Sequence, residues 1–205
     1  MGFHIDVPDD APPHAVMRAI AEQDPSESRR WEVVGNQLHV LPSPVDRHGG
    51  AQGEIVRILS NAYRRSPGRP DEGWVFRVVP DLKDVADREG IRRPKIPDLA
   101  AWRARRYRVN DAGYCPVAPD WICEILSPAT AEKDRGPKAR DYALLGVGWY
   151  WLVDLDAAGL EVRRLEGDVL VPHALHDLTK AFAADPFQQA PFDPDDWFGL
   201  VGEAR

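Results

Sequence analysis

The chain has 205 residues, 43% of them apolar and 29% charged, with a net charge of −7. This balance excludes a disordered chain and suits one domain with an ample core. No apolar run approaches the roughly 18 residues of a membrane span, and the negative net charge argues against a protein coated with positive field for nucleic acid.

Residues 1–30 are rich in proline and charge and read as an N-terminal extension with at most one short helix, around His14 to Glu22. The opening "MGFHIDVPDD" lacks the basic start and apolar stretch of a signal peptide. Cys115 and Cys123 are the two cysteines, too few for an exported disulfide scaffold. The expected compartment is the cytoplasm.

A single domain is expected over residues 31–205. "WEVVGNQLHVLP" reads as a hairpin turning at Gly35-Asn36. In "GGAQGEIVRILSNAYRR", Ile55, Ile58, Leu59 and Ala62 recur at helical spacing, and Ser66-Pro67-Gly68 ends the helix. "WVFRVVPDL" and "IPDLAAW" are strands separated by a charged connection from Lys83 to Lys95. "WICEIL" is unbroken enough for a central strand. A loop from Ser127 to Gly136 should lead to a helix with Pro137 as its first residue, stopping at Gly146. "WYWLVDLD" is a second central strand, and "LEVRRLEGDVL" reads as two edge strands joined at Glu166-Gly167-Asp168. The fold class is mixed α/β: a helix first, several strands, a crossover helix and more strands.

Glu124 interrupts the apolar run of "WICEIL", and a carboxylate is almost never buried without a cation or a donor. Asp98, in a Pro-Asp pair, opens the preceding strand 26 positions earlier. Neighbouring strands can bring two such acids to one end of a sheet. There they repel each other unless a cation intervenes, and an oxygen-rich site of this kind suits Mg²⁺ or Mn²⁺ better than zinc. A Pro-Asp turn is the plainer reading of Asp98, and a buried salt bridge that of Glu124. Lys138 falls on one helical stripe with Tyr142 and Leu145, so it is either a solvated lysine or a cation aimed at the acid pair. Tyr142 itself reads as core. His173 and His176 lack a third ligand and read as surface residues.

The segment from Arg88 to Arg108 sets eight basic residues against Glu89 and Asp98, leaving six net positive charges in a negative chain. Such a segment is either a solvated surface or an anion-binding one.

"IPDLAAW", "EILSPAT", "DRGPKARDY" and "GVGWYWLVD", with "WEVVGNQLHVLPSP" and His48 upstream, resemble the signature of the Uma-two family within the PD-(D/E)XK nuclease superfamily. The resemblance spans roughly Trp31 to Asp154 and implies a restriction-endonuclease-like fold, a central mixed sheet flanked by helices, with DNA as the partner. Carried over, Asp98 is the PD aspartate, Glu124 the acid of the second strand, and the main-chain carbonyl of Ile125 a third metal ligand. The superfamily's lysine normally stands two residues after the acid, where this chain has Leu126; here Lys138 on the next helix takes its place. His48 and Asp134 match family residues. Glu54 stands on the first helix, where many related nucleases place an extra metal-binding acid. Arg92, Arg93, Arg103, Arg105 and Arg106 would hold the phosphate backbone. The resulting expectation is an Mg²⁺- or Mn²⁺-dependent endonuclease acting on DNA, with a homodimer allowed. Its rivals are a nuclease-fold binding module without turnover and a metal phosphoesterase for a smaller substrate.

Overall fold

A computed structural model describes residues 4–6, 31–34, 37–40, 46–63, 72–92, 94–197 and 200. The helix expected around His14 to Glu22, the Ser66-Pro67-Gly68 stop and Arg93 lie outside these residues.

The hairpin forms as read: β2 (Trp31–Val34) pairs with β3 (Gln37–Val40), Val34 opposite Gln37. A strand not expected in the N-terminal extension, β1 (His4–Asp6), adds to β3 in antiparallel register.

The main sheet has six strands in the order β4-β5-β6-β7-β8-β9. These are β4 (Trp74–Val78), β5 (Leu99–Arg103), β6 (Trp121–Ile125), β7 (Trp149–Asp154), β8 (Gly159–Glu166) and β9 (Val169–Asp177). Only β6 and β7 run parallel; the other neighbours are antiparallel, so the sheet is mixed as expected. All five residues of β6 are buried, which its apolar run requires of a central strand. The strand β8 is interior, contrary to the edge expected from its sequence: β9 continues to Asp177 and covers its whole length. Its charged residues survive there because Arg163 bonds Glu161 at 2.6 Å.

Alternation along the strands splits the core between two faces. Leu99, Ala101, Trp121, Cys123, Ile125, Trp151 and Val153 face helix α1 (Asp46–Tyr63), whose Ala51, Ile55 and Leu59 are fully buried. Phe187, Phe192 and Trp197 close this side. Ala100, Trp102, Ile122, Tyr150 and Leu152 face the second helical element, through its Ala139, Tyr142 and Ala143.

That element departs from the expectation of a loop followed by a helix beginning at Pro137. It starts at α2 (Ala131–Lys133), widens into a π-helical segment (Asp134–Lys138), and continues as α3 (Ala139–Leu145). Pro137 is therefore inside the helix, where its missing N–H and its ring would break an α-helical ladder; the wider π turn accommodates both. The end falls at Gly146 as read, with φ of 81°, and Gly146 and Val147 donate to the Ala143 and Tyr142 carbonyls.

Candidate active site

Antiparallel pairing sets Leu99 opposite Cys123, so Asp98 and Glu124 stand at the same end of β5 and β6. The two are linked directly. The Asp98 main-chain N–H points to Glu124 Oε2 at 3.4 Å, and the Ile125 N–H donates to Asp98 Oδ2 at 2.8 Å. In an extended strand a residue's N–H and C=O point to the same side, so the Ile125 carbonyl belongs to the same edge.

Glu124 points to the face covered by the second helical element, where its side chain is 4% exposed. Its Oε1 accepts from Lys138 Nζ at 2.8 Å and from the Tyr142 hydroxyl at 2.6 Å. Lys138, also 4% exposed, lies 3.3 Å from Asp134 Oδ1, so one ammonium serves two buried carboxylates. The Tyr150 hydroxyl donates to the Asp134 main-chain oxygen at 3.0 Å. The sequence expectation of Lys138 in a first turn is thus corrected: it sits at the junction of the π segment and α3, enclosed rather than open to substrate. This negative ground has further effects. Burial first, and then the charges of Asp98 and Glu124, push the Cys123 thiol well above its ordinary range. Burial, followed by Glu124, Tyr142 and Asp134, pushes the Tyr150 phenol up as well.

Asp98 opens the other way, toward α1, with its side chain 19% exposed. His48 Nε2 lies 2.8 Å from Oδ1, and Gln52 Nε2 donates to the same oxygen at 3.0 Å. Sequence reasoning singled out His48 and missed Gln52. The signal was present: positions 48, 52, 55 and 59 form one stripe at helical spacing, and two polar residues lead an otherwise apolar core-facing row.

Other expected residues are not gathered here. Glu54 lies on a different side of α1, bonded to Arg57 at 2.7 Å, and Arg57 also reaches Asp196. Arg103, Arg105 and Arg106 stand at the far end of β5, a strand of five residues and so about 17 Å from Asp98. Arg103 stacks 4.1 Å over Trp74, and Arg106 pairs with Asp120. Within the same basic segment, Arg88 pairs with Asp168, and Lys95 is buried against Asp141 at 2.9 Å. Arg92 is exposed, bridged to Ala86 in the connection before β5. Three of the six net charges read from the linear sequence are thus met by acids arriving from elsewhere.

The donor set at the acid end is all oxygen: one carboxylate from each strand and the Ile125 carbonyl. That chemistry suits a hard cation that keeps much of its own water, as Mg²⁺ does. Among the described residues no cluster of three or more His, Cys, Asp or Glu side chains is arranged to hold a metal by itself. Among the same residues, no helix is long and apolar enough to cross a membrane.

Residues 20–190 match the Uma2 family, described as "Putative restriction endonuclease". Among solved structures, the chain is similar to one from Anabaena variabilis ATCC 29413, described as "a putative nuclease belonging to DUF820". The two share 19% sequence identity with a TM-score of 0.64, over 83% of this chain and 90% of that one. That likeness establishes a nuclease-like α/β fold. None of the curated proteins matches the chain.

Proposed function

Because this chain belongs to the Uma2 family of restriction-endonuclease-like proteins, we propose that it is an endonuclease that hydrolyses DNA phosphodiester bonds with the help of Mg²⁺ or Mn²⁺. The observation that carries this reading is the meeting of Asp98 and Glu124 at one end of adjacent strands, tied by the Ile125 N–H. Asp98, Glu124 and the Ile125 carbonyl would hold the ion. When bound, such an ion lowers the pKa of a water and neutralises phosphate charge.

The chain's own groups keep that site in shape. Lys138 and Tyr142 fix Glu124 from the helical side, which leaves its carboxylate one orientation. His48 and Gln52 fix Asp98 from α1. With its ammonium enclosed between Glu124 and Asp134, Lys138 acts on the metal ligand and not on the phosphate. The way in for a substrate is on the Asp98 and His48 side, the more exposed half of the site.

The test is cleavage of supercoiled plasmid with Mg²⁺, with Mn²⁺ and with EDTA. Nicking or linearisation that needs the ion and disappears in Asp98→Asn supports the proposal; no cleavage with either ion overturns it. One observation favours a second reading, a phosphoesterase for a smaller substrate: Arg88, Lys95 and Arg106 are already paired with acids, and Arg103 to Arg106 lie at the far end of β5 from Asp98. Salt separates the two, because a protein that grips a phosphate backbone loses affinity steeply as salt rises.

A further inference from the structure

Helix α1 meets Asp98 with the Gln52 amide and the His48 ring, and with no acid. Gln52 is 6% exposed, so its amide requires a partner, and Asp98 Oδ1 at 3.0 Å is that partner. His48 Nε2 lies 2.8 Å from the same oxygen. A carboxylate oxygen has two acceptor positions. Among the described residues, Oδ1 accepts from Gln52 and has the His48 ring beside it, whereas Oδ2 accepts only the Ile125 N–H.

We propose that Gln52 is a positioning residue that fixes Asp98 as a one-oxygen metal ligand and, by placing an amide where an acid would fit, limits the site to a single divalent ion. The inference rests on reading Asp98 and Glu124 as metal ligands. A paired-ion site holds its ions roughly 3.5–4 Å apart, and the charge of a second ion calls for a further carboxylate to balance it. The positions on α1 that reach Asp98 are occupied by His48 and Gln52, neither of them an acid. Glu54 cannot serve, because it is turned toward Arg57 on another side of the helix. A glutamate at position 52 has the shape of the glutamine, but it would set a third negative charge against Asp98 and create a demand for a second cation.

The experiment is Mn²⁺ binding to the full chain without nucleic acid, by titration calorimetry, with circular dichroism and thermal melting to follow the fold. Wild type is expected to bind one ion. Gln52→Glu, nearly isosteric, is expected to bind two. Gln52→Met is expected to keep one ion but to bind it about 10- to 100-fold more weakly, the usual effect of losing a group that orients a ligand. Two ions on wild type, or one ion on Gln52→Glu, would overturn the inference; so would a folded Gln52→Met with wild-type affinity. If Gln52→Met does not fold, the stoichiometry of Gln52→Glu decides alone. A wild type that binds no Mn²⁺ overturns the metal reading under the proposed function and this inference together. A wild type that binds one ion but cleaves nothing counts against the nuclease proposal alone.

Discussion

Replacing Lys138 by methionine removes a charge from between two acids while keeping most of the side-chain volume. Both Lys138 and Glu124 are 4% exposed, and Nζ is 2.8 Å from Oε1. Removing one partner of a buried ion pair costs about 3–5 kcal/mol, because the remaining charge is left desolvated without its counter-ion. In a chain of 205 residues, each kcal/mol moves the melting temperature by about 2–4 °C, so the expected loss is about 6–20 °C. Neutralising Glu124 as well should return part of it, since a buried pair replaced as a whole is often close to neutral in stability, while Asp134 stays buried without the ammonium. The double variant Lys138→Met/Glu124→Gln is therefore expected to melt above the Lys138→Met single variant. Thermal melting by circular dichroism in EDTA measures this without interference from metal. A single variant within about 2 °C of wild type, or a double variant at the sum of the two single losses, would refute the assignment of Lys138 as the counter-charge of Glu124.

Mg²⁺ or Mn²⁺ should raise the melting temperature of wild type, since an ion that binds only the folded state stabilises it by mass action; Glu124→Gln should abolish the rise, and equal rises in both would place the ion elsewhere. Stability should also fall in alkali. Cys123 and Tyr150 are held above their ordinary values of 9.0 and 10.0, so the folded chain keeps protons that the unfolded chain gives up. Their contribution is complete below about pH 9 and is lost as pH rises from there toward the folded-state values. Urea midpoints at pH 8, 9, 10 and 11 should show this decline, with a smaller initial slope in Cys123→Ala; an identical slope in that variant would count against the thiol.

Much of this was legible from residue order. The six strands of the main sheet appear where apolar runs and turn residues place them, and Glu124 is conspicuous because an acid inside "WICEIL" must be buried. What stayed hidden depends on groups that arrive from distant elements. The arginine segment looked positive because Asp168, Asp141 and Asp120 lie outside it in sequence and meet it only in the folded chain. Tyr142 read as core, and its ring is core; its hydroxyl, buried on Glu124, is visible only once α3 lies over β6. Glu54 matched a nuclease position by helix and residue type, but position around the helix axis decides what a side chain reaches, and there Gln52 holds the place.

The proline that misled the reading of the helix start also explains why the site is built as it is. Pro137 has no N–H to offer the preceding turn, so the helix between α2 and α3 cannot continue as a regular α-helix through it. Widening to a π turn keeps the chain helical and lets Asp134 and Lys138, at either end of the segment, both face the sheet as buried residues. A loop ending in a fresh helix at Pro137 would place Lys138 in a solvated first turn, with Asp134 outside the helix. The π segment instead encloses the lysine, and enclosure decides its chemistry. An ammonium shared by two buried carboxylates fixes the position of Glu124 and has no open path to a phosphate, so on the proposed function a substrate would meet the site at the face formed by Asp98 and His48.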